Sequence, residues 1–365
     1  MRKPTAAKKR EPKPTSTRAS TPPPNSVREA RKFRAPNESE LPPGAGIQSF
    51  LRLPVHDNPD QVPEVDVLLC GAPFDGGSSF RPGARFGPRA VREASALARS
   101  FSAALGVDIY DELRAADGGD VTLSQPDLER TLFAISARAE SITRSGAICG
   151  FIGGDQTLTL AALRGIQRAK KKSFGILHID AQSNSLGTAK DPHLDHSSVL
   201  RHALEEGLIR ADSTLQLGVR GPYSSSDDLA FARAQGFEIA TMDEVRWDLH
   251  SVVGQVRKLV SKGALYISVD ISALDPAYAP GTAFPLPGGM NTWELQQVLR
   301  ALVGAEIVGF DVVEIAPTYD PTGITALAGV SVLHEILAAL ADTRRSGRPA
   351  PSSLRSGRRG RRLSP

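Results

Sequence analysis

Three short stretches carry most of the side chains able to do chemistry. They are Gly153-Gly154-Asp155-Gln156, Asp180-Ala181-Gln182-Ser183-Asn184 and Asp270-Ile271-Ser272-Ala273-Leu274-Asp275-Pro276. Their ionisable groups are Asp155, Asp180, Asp270 and Asp275, and their other polar side chains are Gln156, Gln182, Asn184 and Ser272. No histidine falls within them. A pair of divalent cations brings four positive charges to one place and asks for deprotonated carboxylates or neutral imidazoles. Neutral amides are poor ligands for transition metals, although their oxygens suit calcium or magnesium. These residue types argue against a manganese, nickel or zinc centre. They describe equally well a hydrogen-bonded polar network, because buried polar groups must find partners.

The elements that would position these groups are legible as apolar runs. Val65–Cys70, Ala147–Ile152, Phe174–Ile179, Leu215–Val219, Leu265–Val269 and Ile307–Val312 read as strands buried on both faces. Pro88 suits the first position of a helix, with Val91, Ala94, Leu97 and Phe101 following at helical spacing. Asn291 with Glu294 predicts a capped helix ending near Gly304, and Ile324 to Leu340 reads as a long, largely buried final helix. Such alternation predicts an α/β fold with a mostly parallel sheet covered on both sides. Working residues in such folds collect at the carboxyl ends of strands. Asp155, Asp180, Asp270 and Glu314 all follow apolar runs, so one crevice can gather them. The chain has no G-x-S-x-G, no P-loop signature, no dinucleotide fingerprint and no internal repeat. His193 and His196 lie three apart and could both approach one site; otherwise they are loop residues.

The formal charge of +4 averages unlike parts. Residues 1–40 hold 11 Lys and Arg against 4 acids, and residues 343–365 hold 8 Arg and no acid. Residues 41–342 keep 25 bases and 36 acids, an ordinary acidic domain. We read 1–42 as a disordered basic Pro/Ser-rich tail, 43–342 as the folded domain and 343–365 as a basic Arg-rich tail. Such tails can bind nucleic acid or simply keep the protein soluble, and the first can serve as a transit peptide. No secretory h-region and no run of 18 apolar residues is present, so the expected setting is cytoplasmic, with no membrane partner. Cys70 and Cys149 sit in apolar runs and read as packing residues.

The same stretches resemble the ureohydrolase family of arginase, agmatinase and relatives, whose patterns read G-G-D-H, D-A-H-x-D and D-I-D-x-x-D-P. Gly71 to Ser95 looks like the agmatinase-type leading segment, with a specific Arg-Pro-Gly-Ala-Arg-Phe-Gly-Pro run at 81–88. Asp195 to Leu208 is similar to the segment with the catalytic-loop histidine, here His196. Tyr266 to Gly289 resembles the segment of the last metal-binding aspartates. Gly309 to Ala326 resembles the closing motif, with Glu314 at the guanidinium-binding carboxylate. The resemblance covers residues 45–342 in the right order. It implies a three-layer arginase-type α/β fold, usually trimeric or hexameric.

Carried over by position, one metal of an active relative would use Gln156, Asp180, Asn184 and Asp270, and the other Asp180, Gln182, Asp270 and Ser272. Only Asp180 and Asp270 keep the family residue type. Two carboxylates face four positive charges in a partly desolvated site. Without metal, no hydroxide nucleophile forms near neutral pH. The resemblance thus implies that this chain binds no metal cofactor and that an active partner would carry two divalent metals, manganese or nickel. His196 and Glu314 stand as remnants able to bind substrate. Phe284, within Gly281-Thr282-Ala283-Phe284-Pro285 where relatives often have Gly-Thr-Gly-Thr-Pro, either fills space near the guanidinium or packs in its loop.

Three functions follow. The first is a non-catalytic subunit assembled with a catalytically intact paralogue, like the ligand-poor partner in two-component guanidine hydrolases of the metformin hydrolase kind. The second is a free-standing amidinohydrolase with an atypical single-metal site. The third is a regulatory binding protein whose basic tails contact nucleic acid, which ranks last.

Overall fold

The computed structural model describes residues 44–347 and Pro42, except 57, 59–60, 124–126, 187–193 and 224–228. His193 and nearly all of both basic tails lie outside the described residues. Among the described residues ten strands are present in chain order: β1 (Val67–Ala72), β2 (Phe101–Ser102), β3 (Val107–Asp108), β4 (Ala115–Asp120), β5 (Ile148–Gly153), β6 (Phe174–Ile179), β7 (Ile209–Val219), β8 (Glu238–Thr241), β9 (Leu265–Asp270) and β10 (Ile307–Val313). Eight form one sheet in the order β4-β1-β5-β10-β9-β6-β7-β8, every pair parallel. The short β2 and β3 pair antiparallel outside it. This is the expected three-layer α/β arrangement, the arginase-type fold.

Alternation along each strand builds two cores. Val67 and Leu69 of β1 join Leu177 and Ile179 of β6 on one face, with Leu333, Ile336 and Leu337 of the final helix. Leu68 and Cys70 join Phe151 and Ile176 on the other face, beneath helices Leu128–Ser145 and Thr157–Lys170. Both faces are covered, so the central strands carry apolar side chains at every position, and each buried Leu or Ile contributes about 1.5–3 kcal/mol. The two helices on the second face approach closely at Gly165, where an added Cβ would lie 2.2 Å from the Ser136 carbonyl oxygen. Both cysteines are buried and unpaired, and burial pushes the thiols up to about 11 for Cys70 and about 12 for Cys149. They are inert packing groups.

Several expectations need correction. The helix at Pro88 ends at Ala94, gives way to a 3-10 turn at Ser95–Leu97, and leaves Phe101 on β2. The Ser95 hydroxyl donates to the Val91 carbonyl, a local bond that competes with helix continuation. The Asn291–Glu294 capping box is formed, but its helix stops at Arg300, before the left-handed Gly304. The final helix runs beyond Leu340 to Arg345. It is also long and apolar enough to cross a bilayer by length and composition, contrary to the run-of-18 criterion, because a few charges interrupt it. That stretch is 78% buried inside the domain, which makes it a core helix.

Candidate functional site

The four central strands β5, β10, β9 and β6 deliver the predicted residues from their carboxyl ends. Asp155 and Gln156 follow β5, Glu314 follows β10, Asp270 ends β9 with Ser272 just beyond, and Asp180 to Asn184 follow β6. The backbone is tight here. A Cβ on Gly154 would lie 2.0 Å from the Phe74 carbonyl oxygen, so only glycine fits. Asn184 and Glu314 occupy the left-handed region at φ 48° and 64°. That conformation costs roughly 1–2 kcal/mol for most residues, and asparagine tolerates it best.

The two retained aspartates are already occupied by hydrogen bonds. Asp180 Oδ1 accepts from the Gln182 backbone N–H (2.9 Å) and from Ser272 Oγ (3.1 Å). Asp180 Oδ2 accepts from Asn184 Nδ2 (2.5 Å). Asp270 Oδ1 accepts from the Ser272 backbone N–H (2.7 Å). Gln156 turns away, donating its amide to Thr159 Oγ1 (2.9 Å) and Ser268 Oγ (3.0 Å). Asp311 sits beneath, accepting from Thr159 Oγ1 (2.8 Å) and the Tyr266 hydroxyl (2.7 Å). Side chains that would face a cation with lone pairs thus present protons to the carboxylates instead. Among the described residues, no group of three or more His, Cys, Asp or Glu is placed to hold a metal ion. The two divalent metals implied by the family do not fit this donor set, and no chemical step is routed through them.

The charge left behind is poorly compensated. Burial raises the Asp270 carboxyl well above the usual range, and Asp180 and Glu314 push it further. Burial does the same to Glu314, with Asp155 adding to it, while the Gln156 backbone N–H opposes at 2.9 Å from Oε1. Glu314 Oε2 is buried without a partner. Asp155 is raised chiefly by burial, although the Gly77 and Thr157 backbone N–H groups donate to it. Asp275 differs: its carboxylate accepts from the backbone N–H groups of Ala277, Gly288 and Gly289 and is held below the usual range. It organises a loop and takes no part in the crevice.

Above the acids lies a cavity of about 410 Å³ lined by Gln182, Asn184, His196, Arg220 and Phe284, among others. His196 Nε2 is 2.9 Å from Ser79 Oγ, and its ring stacks on Phe284 at 5.0 Å between centroids. Phe284 also meets Phe80, at 5.6 Å. The structure therefore brings His196, Phe284, Gln182 and Asn184 into one wall, while Glu314, Asp180, Asp270, Gln156 and Ser272 do not line the cavity.

Two participants escaped the sequence reading. His178 is fully buried with Nε2 3.3 Å from Asp180 Oδ2. It stands two residues before Asp180, on the same face of the strand, so period-two alternation was the available signal. Arg220 is the second. Its guanidinium lies among the carbonyl oxygens of Leu286 (2.6 Å), Ser272 (2.8 Å) and Leu274 (3.2 Å). Burial lowers its pKa, with Asp180, Asp275 and Asp270 opposing. Nothing in its sequence neighbourhood foretold that role.

Comparison with known proteins adds the lineage. Residues 65–339 match the arginase family. A guanidinopropionase of Pseudomonas aeruginosa is 38% identical over 308 residues, covering 84% of this chain and 95% of that protein. A guanidinobutyrase of the same organism is 35% identical over 304 residues, covering 83% and 95%. Among solved structures, proclavaminate amidino hydrolase from Streptomyces clavuligerus superposes with a TM-score of 0.77 at 35% identity, covering 82% of this chain and 98% of that one. The matching strands, crevice and relatives agree: this chain belongs to the arginase family of ureohydrolases.

Proposed function

We propose that this chain is a non-catalytic ureohydrolase subunit that assembles with a catalytically intact paralogue, the pair hydrolysing a guanidino or biguanide-type C–N bond as in metformin hydrolase. One observation carries the reading: Asn184 Nδ2 and Ser272 Oγ both donate to Asp180, at 2.5 and 3.1 Å, in the place where a bridging carboxylate would meet metal. A cation there would have to displace two donors and would gain only two carboxylates, too little to offset its own desolvation. The relatives named for guanidino compounds support the substrate class of the pair. The partner supplies the two divalent metals, manganese or nickel, and the nucleophile. This chain supplies interfaces within a trimer or hexamer.

The test is co-expression with a homologue whose G-G-D-H, D-A-H-x-D and D-x-D motifs are intact. The expected result is a mixed oligomer, metal in the partner alone, and turnover with the pair that this chain lacks by itself. A chain that stays homo-oligomeric beside every such homologue overturns the reading. So does stoichiometric metal with turnover in the purified single chain, which would favour the free-standing atypical enzyme.

A further inference from the structure

The cavity over the crevice has no acid among its described lining residues. Relatives bear names for guanidino compounds, which are cations. Among the described residues lining the cavity here there is no Asp or Glu, and the one side chain of fixed charge is the Arg220 guanidinium. The acids lie behind the wall, covered by neutral groups: Asn184 spends its Nδ2 on Asp180, and Ser272 spends its hydroxyl there as well. A cation entering the cavity would lose water, meet the Arg220 guanidinium and find no carboxylate among the described lining residues. An anion fares little better, because the guanidinium donors of Arg220 are spent on the carbonyl oxygens of Ser272, Leu274 and Leu286.

What remains matches a flat, uncharged ligand. Phe284 lines the cavity, half-buried, and is held in place by ring contacts with His196 at 5.0 Å and Phe80 at 5.6 Å. Aromatic side chains reward stacking of planar groups. The Gln182 side-chain amide lines the same wall and makes no hydrogen bond within the described structure, so it offers one acceptor and two donors in a plane. A primary amide group presents the complementary pair. The volume of about 410 Å³ falls in the range of small-molecule sites, roughly 300–1,000 Å³.

We infer that this cavity is a binding site for a planar, uncharged carboxamide, held by Gln182 and packed against the Phe284 ring, and that it rejects the isosteric amidinium. The inference goes beyond the partner-subunit reading and does not depend on it, since binding is measured on the single chain without turnover or metal.

The experiment uses three ligands of one shape and three charges: benzamide, benzamidine and benzoate. Affinities for the full chain are measured by calorimetry and by ligand-observed saturation-transfer NMR. Benzamide is expected to bind at least tenfold tighter than either charged analogue. Phe284→Ala should weaken benzamide about tenfold. Asn184→Asp, which returns a carboxylate to the wall, should reverse the preference toward benzamidine; if that variant does not fold, Gln182→Glu makes the same test at a less buried position. Benzamidine binding as tightly as benzamide to the unmodified chain overturns the inference. So does absence of benzamide binding, or a Phe284→Ala variant with unchanged affinity. The partner-subunit reading fails by other signs, metal content and assembly, so the two can be told apart.

Discussion

Two buried regions built from the same acid behave in opposite ways. At the start of the final helix, Asp320 is only 4% exposed, yet its carboxylate is held below the usual range. Burial raises it, but the donors outweigh burial: the backbone N–H groups of Thr322, Gly323 and Thr325 and the Thr322 hydroxyl all point at it. In the crevice, Asp270 is 6% exposed and is pushed far up: burial raises it most, Asp180 and Glu314 add to that, and among the described residues Ser272 is the one hydrogen-bond donor that opposes. The difference teaches that low exposure alone does not set the charge state; burial acts together with the donors and the acids that surround the carboxylate. The crevice therefore gathers buried acids with few donors to hold them ionised.

The largest test of that contrast installs the residues that the ureohydrolase patterns carry at four crevice positions. The fourfold variant Gln156→His, Gln182→His, Asn184→Asp, Ser272→Asp replaces protons facing Asp180 with lone pairs and adds two negative charges. Elemental analysis should move from no stoichiometric manganese or nickel to a bound divalent metal, with a matching rise in thermal stability by mass action. A fourfold variant that folds and still holds no metal would mean that the backbone, and not the side chains alone, has left the metal geometry.

Next in size is removal of the satisfied acid. Asp320→Ala orphans three backbone N–H groups and a hydroxyl at the base of the core helix. Each buried orphan costs about 1–3 kcal/mol, partly relieved by water at the helix start. A loss of about 3–5 kcal/mol is expected in urea unfolding. A loss under about 1 kcal/mol would erase the contrast between the two regions.

How much of this was legible beforehand follows from the same physics. All six expected strands are present, because strands buried on both faces leave continuous apolar runs. Of the missed ones, β4 and β8 sit at the two edges of the sheet, and the two-residue β2 and β3 pair outside it. β4 reads Ala-Ala-Asp-Gly-Gly-Asp, with no β-branched residue, and only its pairing with β1 makes it a strand. The crevice residues were legible from order and motif, since each follows a strand. Their hydrogen-bond directions were not: that Gln156 turns to Thr159 and Ser268, or that Asn184 presents its NH₂ to Asp180, depends on neighbours distant in sequence. Arg220 was invisible for the same reason.

A pH titration probes the shortage of donors without touching the four positions changed in that variant. Asp311 lies under the crevice, fully buried, with its pKa raised by burial to about 6 despite hydrogen bonds from Tyr266 and Thr159. An unfolded aspartate titrates near 3.9. The folded state therefore holds the proton more tightly. As pH rises from about 4 to about 6, the unfolded chain gives up its proton first, so stability falls through this window and levels above it. The size is on the order of 2–3 kcal/mol for the one group. Asp311→Asn should flatten that limb. An unchanged slope between pH 4 and 6 would assign the effect elsewhere.

The smallest expected effect completes the scale. Arg89 and Glu93 form an i,i+4 pair at 2.9 Å on helix Gly87–Ala94, with side chains 82% and 45% exposed. Water supplies the donors that the crevice lacks, so neither burial nor a missing partner acts on this carboxylate. Glu93→Ala should change stability by less than about 0.5 kcal/mol, and that little should shrink further at high salt. Glu93, Asp311 and Asp320 then order by what surrounds the carboxylate: solvent, too few donors, or enough. A Glu93 effect as large as that of Asp311 would show that the surface of this helix, which begins at the end of the Arg-Pro-Gly-Ala-Arg-Phe-Gly-Pro run, is under a constraint that burial and hydrogen bonding do not account for.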